Sequence, residues 1–189
     1  MVTHLHVRAI SNKSSSGWLQ LGHQFYWCRL GRAGRTWRKR EGDGKSPVGC
    51  YWLTQGFFRA DRTVRIVSSF DLRPCSPKLG WCDAPNHPLY NRAINLPARM
   101  SHETLWREDH AYDVVITTDH NRRPRIHSGG SAIFFHMVSR EAQATAGCIA
   151  VSSGDMLKIL ARCQRQTLLV IWPREGGPPT LRQKWHCQS

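Results

Sequence analysis

Negative charge is scarce in this chain. Its 189 residues carry 27 lysines and arginines against 13 aspartates and glutamates, a formal net charge of +14. That balance argues against a cationic partner and favours an anionic one: nucleic acid, an anionic lipid face or a polyanionic polymer. No long apolar run is present. The start, Met1-Val2-Thr3-His4-Leu5-His6, lacks a basic segment leading into an apolar one, so neither an export signal nor a membrane span is expected. As written, the chain reads as cytoplasmic with reduced thiols; a true start further upstream would place it in the periplasm or cell envelope. No CxxC pair and no internal repeat occur. The cysteines number seven, so at least one is unpaired, and Cys75 and Cys82 are candidates to pair only in an exported protein. A zinc site built from Cys75, Cys82, His87 or His127 fits no usual ligand framework, so neither a metal nor a cofactor is expected.

Positive charge is crowded into Arg29, Arg32, Arg35, Arg38, Lys39, Arg40 and Lys45. Gly31 and Gly34 punctuate the run, and no recognition-helix pattern accompanies it. A solvated basic loop is the plainer reading, and nucleic acid is not the expected partner.

The length suits one domain that buries about 70% of its unfolded surface and folds without disulfides or metal. Eight tryptophans suit a β-rich core or an aromatic cleft. Leu5, Val7 and Ala9 alternate with His4, His6 and Arg8, a half-buried strand. Strands are also expected over 18–21 and 25–28, separated at Gly22-His23, and over 48–53, 112–117, 132–138, 148–151 and 167–172. Residues 73–97 hold Pro74, Pro77, Pro85, Pro88 and Pro97 and read as a long ordered loop of the kind that borders a site. Ser153 is a candidate cap for a helix over 155–162, with Met156, Ile159 and Leu160 on one face. The sum is a mainly β single domain over 1–172 and a loose tail over 173–189.

One pair of residues proposes chemistry. Thr145-Ala146-Gly147-Cys148 sets a cysteine directly after a glycine, and His136 ends the apolar run Ala132-Ile133-Phe134-Phe135. A thiol on a tight turn, faced by an imidazole from an adjacent strand, is the minimum for a thiol nucleophile. The imidazole would take the thiol proton, leave a thiolate, and later return a proton to a leaving amine. Gly147 permits the sharp turn and lets backbone N–H groups near Gly147 and Cys148 approach a developing oxyanion. The same residues also describe a small core cysteine and a satisfied core histidine in a non-catalytic basic module. Pattern alone leaves both open.

Several segments, in order, resemble the L,D-transpeptidase catalytic domain, the YkuD-like family. They are Lys39-Arg40-Glu41-Gly42-Asp43-Gly44-Lys45-Ser46-Pro47-Val48-Gly49, Gly80-Trp81-Cys82-Asp83, Tyr90-Asn91-Arg92, Leu105-Trp106-Arg107-Glu108-Asp109 and Tyr112-Asp113. The strongest are Gly130-Ser131-Ala132-Ile133-Phe134-Phe135-His136 and Thr145-Ala146-Gly147-Cys148-Ile149-Ala150. The resemblance implies a β-sandwich or barrel with one or two short helices, and Cys148 as nucleophile with His136 as base. A backbone carbonyl would orient the imidazole, and Ser131, Phe135, Thr145 and Ala146 would line the site. It implies attack on the bond between the third residue of a peptidoglycan stem peptide and its terminal D-alanine, through a thioester. An amine acceptor would complete a transpeptidase cycle. Water would make the enzyme an L,D-carboxypeptidase, the alternative favoured by a cytoplasmic location. The implied partners are stem peptides or muropeptides. The chain departs from the family pattern at Ala146, where a second histidine is common, at Ala150, where an arginine is common, and in its short His-to-Cys interval.

Overall fold

The computed structural model describes residues 3–63, 65–139 and 143–173. In chain order the strands are β1 (Thr3–Ala9), β2 (Ser16–Leu21), β3 (Gln24–Arg29), β4 (Arg35–Thr36), β5 (Ser46–Pro47), β6 (Gly49–Phe58) and β7 (Leu72–Pro74). Then come β8 (Leu79–Cys82), β9 (Arg92–Asn95), β10 (His102–Thr104), β11 (Val114–Thr118), β12 (Phe134–Met137) and β13 (Ile149–Val151). Helix α1 (Ser153–Arg162) precedes the last strand, β14 (Thr167–Ile171).

Period-two alternation builds the first three strands. Leu5 and Val7 of β1, Leu19 and Leu21 of β2, and Tyr26 and Cys28 of β3 turn inward, while His4, Trp18, Phe25 and Trp27 turn outward. The sheet then closes on itself. Its order β11-β12-β13-β3-β2-β1-β14-β6 is joined end to end by an additional β11–β6 pairing, so these strands form a barrel, with β7 on the far side of β6. Most pairings are antiparallel; β1–β14, β12–β13, β6–β7 and β4–β5 are parallel. The protein is therefore mainly β, with one helix among the described residues.

The barrel interior holds the main core, and α1 contributes Met156, Ile159 and Leu160 to it, all fully buried. The helix begins earlier than its apolar spacing suggests. Ser152, not Ser153, is the N-cap: its side chain accepts from the Asp155 N–H at 3.1 Å.

A second apolar cluster lies on the outside of β11 and β12, where Phe57, Trp81, Leu105, Tyr112, Val115 and Phe134 pack together. A three-stranded sheet, β10-β8-β9, covers it. This corrects the expectation of a loop over 73–97, since β8 and β9 both fall inside that span. Pro77, Pro85, Pro88 and Pro97 all lie outside the two strands, where a missing N–H costs no ladder hydrogen bond.

Cys75 and Cys82 are free thiols and do not pair with each other. Among the described residues no helix is long and apolar enough to cross a membrane. The expected loose tail lies, from residue 174 onward, outside the described residues.

Candidate active site

His136 and Cys148 both line one cleft, between the barrel wall and the small sheet. Along β12, successive side chains alternate faces: Phe134 joins the outer cluster, and Phe135 and Met137 enter the barrel core. His136 therefore faces outward with Phe134. Phe135 is fully buried inside the barrel and does not line the cleft, contrary to expectation; one step along a strand reverses a side chain's face. Strand β13 runs parallel to β12, with Ile149 opposite Phe135 and Ala150 opposite His136. Cys148 stands just before it and belongs to the outer cluster.

The turn carrying Cys148 is tied on several sides. Thr145 is anchored through its N–H to the Leu30 carbonyl (3.0 Å) and through its carbonyl to the Arg32 N–H (2.9 Å). Its hydroxyl accepts from the Gly147 N–H (3.1 Å) and donates to the Cys148 carbonyl (2.7 Å). Gly147 has φ +149, and a Cβ there would lie 2.8 Å from the Lys45 carbonyl oxygen, so both backbone and space require glycine. The Cys148 thiol donates to the Ala132 carbonyl at 3.0 Å and accepts the Phe134 N–H at 3.3 Å.

His136 is 7% exposed. Its Nδ1 lies 2.7 Å from the Met137 carbonyl. A carbonyl only accepts, so Nδ1 carries the hydrogen and the neutral ring keeps its lone pair on Nε2. The Tyr112 ring meets the imidazole edge to face, centroids 5.0 Å apart.

The cleft has a volume of about 640 Å³, and Cys148, His136, Ser131, Thr145 and Ala146 all line it. Ser131 donates to Glu41 Oε2 at 2.7 Å, and the Tyr90 hydroxyl donates to the same oxygen at 2.5 Å. Other lining residues had no assigned role in the sequence reading. Lys39 is paired with Asp43 at 2.5 Å and is almost wholly buried. Glu103 accepts from the Tyr112 hydroxyl at 2.5 Å, and Arg107 lies over the Tyr112 ring at 5.1 Å. Lys39, Glu41, Arg107 and Tyr112 do fall inside segments that carry the resemblance. Glu103 falls in none of them; only the pairing of β10 with β8 brings it here. Among the described residues no group of three or more His, Cys, Asp or Glu side chains is placed to hold a metal ion.

A model of the L,D-transpeptidase catalytic domain (YkuD) matches residues 10–171. The chain belongs to this family. No curated protein matches it. The matched span of the L,D-transpeptidase domain runs from the end of β1 to the end of β14, so it takes in the covering sheet and every residue of the cleft described above. The family acts on peptidoglycan.

Electrostatics in this L,D-transpeptidase domain reverse one expectation. Burial pushes the Cys148 thiol up to about 12, and the charge of Glu103 adds to the effect. Burial likewise pushes His136 down to about 4. Both shifts favour the uncharged form, so burial in the unliganded site favours a thiol and a neutral imidazole over a thiolate–imidazolium pair. Desolvation outweighs the help that Lys39, Arg107 and the Phe134 N–H give the thiolate.

Proposed function

We propose that Cys148 is the nucleophile and His136 the general base of an L,D-transpeptidase acting on peptidoglycan stem peptides. Substrate binding brings the carbonyl of the third stem residue to Sγ. As the S–C bond forms, the thiol proton passes to Nε2 of His136, whose Nδ1–H stays on the Met137 carbonyl. The C–N bond to D-alanine then breaks, and the imidazolium returns its proton to the leaving amine. A thioester on Cys148 remains. An amine of a second stem attacks it, gives its proton to His136 and restores the thiol.

The Gly147 N–H is already committed to Thr145, so the oxyanion donor we assign is the N–H of Cys148 itself. That narrows the earlier expectation, which included both residues. Arg29, Arg32 and Lys39 line the same cleft and would draw in anionic stems.

The observation that carries this reading is the shared cleft: a buried thiol on a glycine-permitted turn and a histidine with its tautomer fixed, inside a matched L,D-transpeptidase domain. Product masses after incubation with a disaccharide-tetrapeptide test it, for wild type and Cys148→Ala together. Cross-linked dimers made by wild type alone are expected. Shortened tripeptides alone would mean that water resolves the thioester and the enzyme is an L,D-carboxypeptidase. Turnover by Cys148→Ala at the wild-type rate would refute the assignment.

A further inference from the structure

Beyond the cleft, the outer wall of the barrel presents large aromatics to solvent. Trp18, Trp27 and Phe25 are 46%, 39% and 59% exposed. Trp18 and Trp27 stand opposite each other on β2 and β3 and pack edge to face, centroids 4.9 Å apart at 84°. Phe25 precedes Trp27 by two residues on β3 and shares its face. A lone exposed aromatic needs no explanation; a contiguous cluster marks a binding surface.

This cluster is continuous with the catalytic cleft through Arg29. That residue lines the cleft, and its guanidinium sits 5.9 Å from the centre of the Trp27 ring. Register fixes the rest. His136 is opposite Ala150, and Ala150 is opposite Arg29. Two strand spacings and two residues of rise therefore separate His136 from Trp27, about 12 Å along the wall.

We propose that Trp27 and Trp18, flanked by Arg29, form the platform that holds the sugar from which the stem peptide hangs. The proposal rests on the function argued above and extends it from peptide to glycan. A pyranose ring presents a face of C–H groups that stacks on the negative face of an indole. Arg29 at one end and Gln20, opposite Phe25, at the other supply donors to ring hydroxyls. The reach also matches. The scissile bond follows the third stem residue. Cys148 lies two residues before Ala150, on the side away from Trp27, so four residues of rise and one strand spacing, about 14 Å, separate it from Trp27. Three extended stem residues span about 10–11 Å, and the linker that joins the stem to its sugar covers the rest. With its carbonyl at Cys148, a stem running over Arg29 delivers its sugar to Trp27.

Two measurements test this. The first compares Michaelis constants for the disaccharide-tetrapeptide and the free tetrapeptide. Trp27→Ala is expected to raise KM for the glycosylated substrate about tenfold and to leave kcat and the free-peptide KM unchanged. An equal change for both substrates, or none for either, overturns the platform. The second needs no turnover, so it judges the platform even if wild type processes neither substrate and the proposed function falls. The peptide-free disaccharide is titrated into the intact protein while indole N–H resonances are followed, with Trp18→Phe and Trp27→Phe assigning the two signals. Shifts in those two signals support the platform. Fixed signals overturn it, as does sedimentation of wild type as a dimer that Trp27→Ala converts to monomer, which would make the patch a self-association face.

Discussion

At the scale of single residues, the neutral resting pair makes the sharpest predictions. A thiol near 12 is far less ionised at pH 7 than a free cysteine near 8.5, so iodoacetamide should label Cys148 roughly a thousandfold more slowly than free cysteine. Peptide mapping after timed alkylation reads this rate, and fast labelling at pH 7 would restore the ion pair. Glu103 sharpens the test. Its charge is the second cause of the raised thiol, after burial. Glu103→Gln keeps an acceptor for the Tyr112 hydroxyl and removes the charge, so labelling of Cys148 should speed up wherever Glu103 is ionised and converge on the wild-type rate as acid protonates it. An unchanged rate would mean that burial alone sets the thiol. In turnover, Cys148→Ala and His136→Ala should each lose at least about 10³-fold in kcat, and the double variant should lose little more, because the two act as one unit.

At the scale of elements, the turn before β13 is the most exacting piece of backbone in the site. Gly147→Ala places a methyl 2.8 Å from the Lys45 carbonyl at φ +149, and should cost about 1–3 kcal/mol in a thermal melt as well as most activity. Thr145→Val removes a donor and an acceptor that bind this turn together. It should cost about 1–3 kcal/mol, and a stability within error of wild type would show that the backbone bonds of residue 145 to Leu30 and Arg32 hold the turn without the hydroxyl. The sequence showed these elements unevenly, for physical reasons. Strands β1, β2 and β3 were legible because one face of each meets the barrel core and the other meets solvent, which writes alternation into the residues. The Gly-Cys turn and its histidine were legible because few residue types satisfy both the geometry and the chemistry. The sheet β10-β8-β9 was not: its strands are three or four residues long, proline-flanked, and stabilised by packing on the outer cluster. Glu103 was hidden for the same reason, since it reaches the cleft only through that sheet. Phe135 was misplaced because an uninterrupted apolar run gives no sign of which residue faces which side.

At the scale of the whole molecule, buried titratable groups shape stability across pH. His136 and His120 are both driven to about 4 by burial. Their unfolded values lie near 6.5, so between pH 6.5 and 4 the unfolded chain binds more protons than the folded one, and acidification favours unfolding. The cost approaches about 3 kcal/mol for the almost wholly buried His136. It is smaller for His120, which keeps some contact with water and a hydrogen bond to the Gly129 carbonyl. Asp119 and Glu103, raised by burial, oppose this trend, since the folded chain takes up their protons first. On the alkaline side, burial raises Cys28 and Cys148 to about 12 and Cys163 to about 11. There the folded chain holds protons that the unfolded chain has released, so stability falls as pH climbs from about 9 through those values. The expected profile is a plateau in melting temperature between about pH 6.5 and 9, falling on both sides. Calorimetry across pH 4.5–10.5 measures it. His120→Gln, which keeps a donor for the Gly129 carbonyl and cannot take up a proton, should flatten the acid side; a wild-type melting temperature constant from pH 6.5 to 4.5 would show that neither histidine is held neutral by the fold.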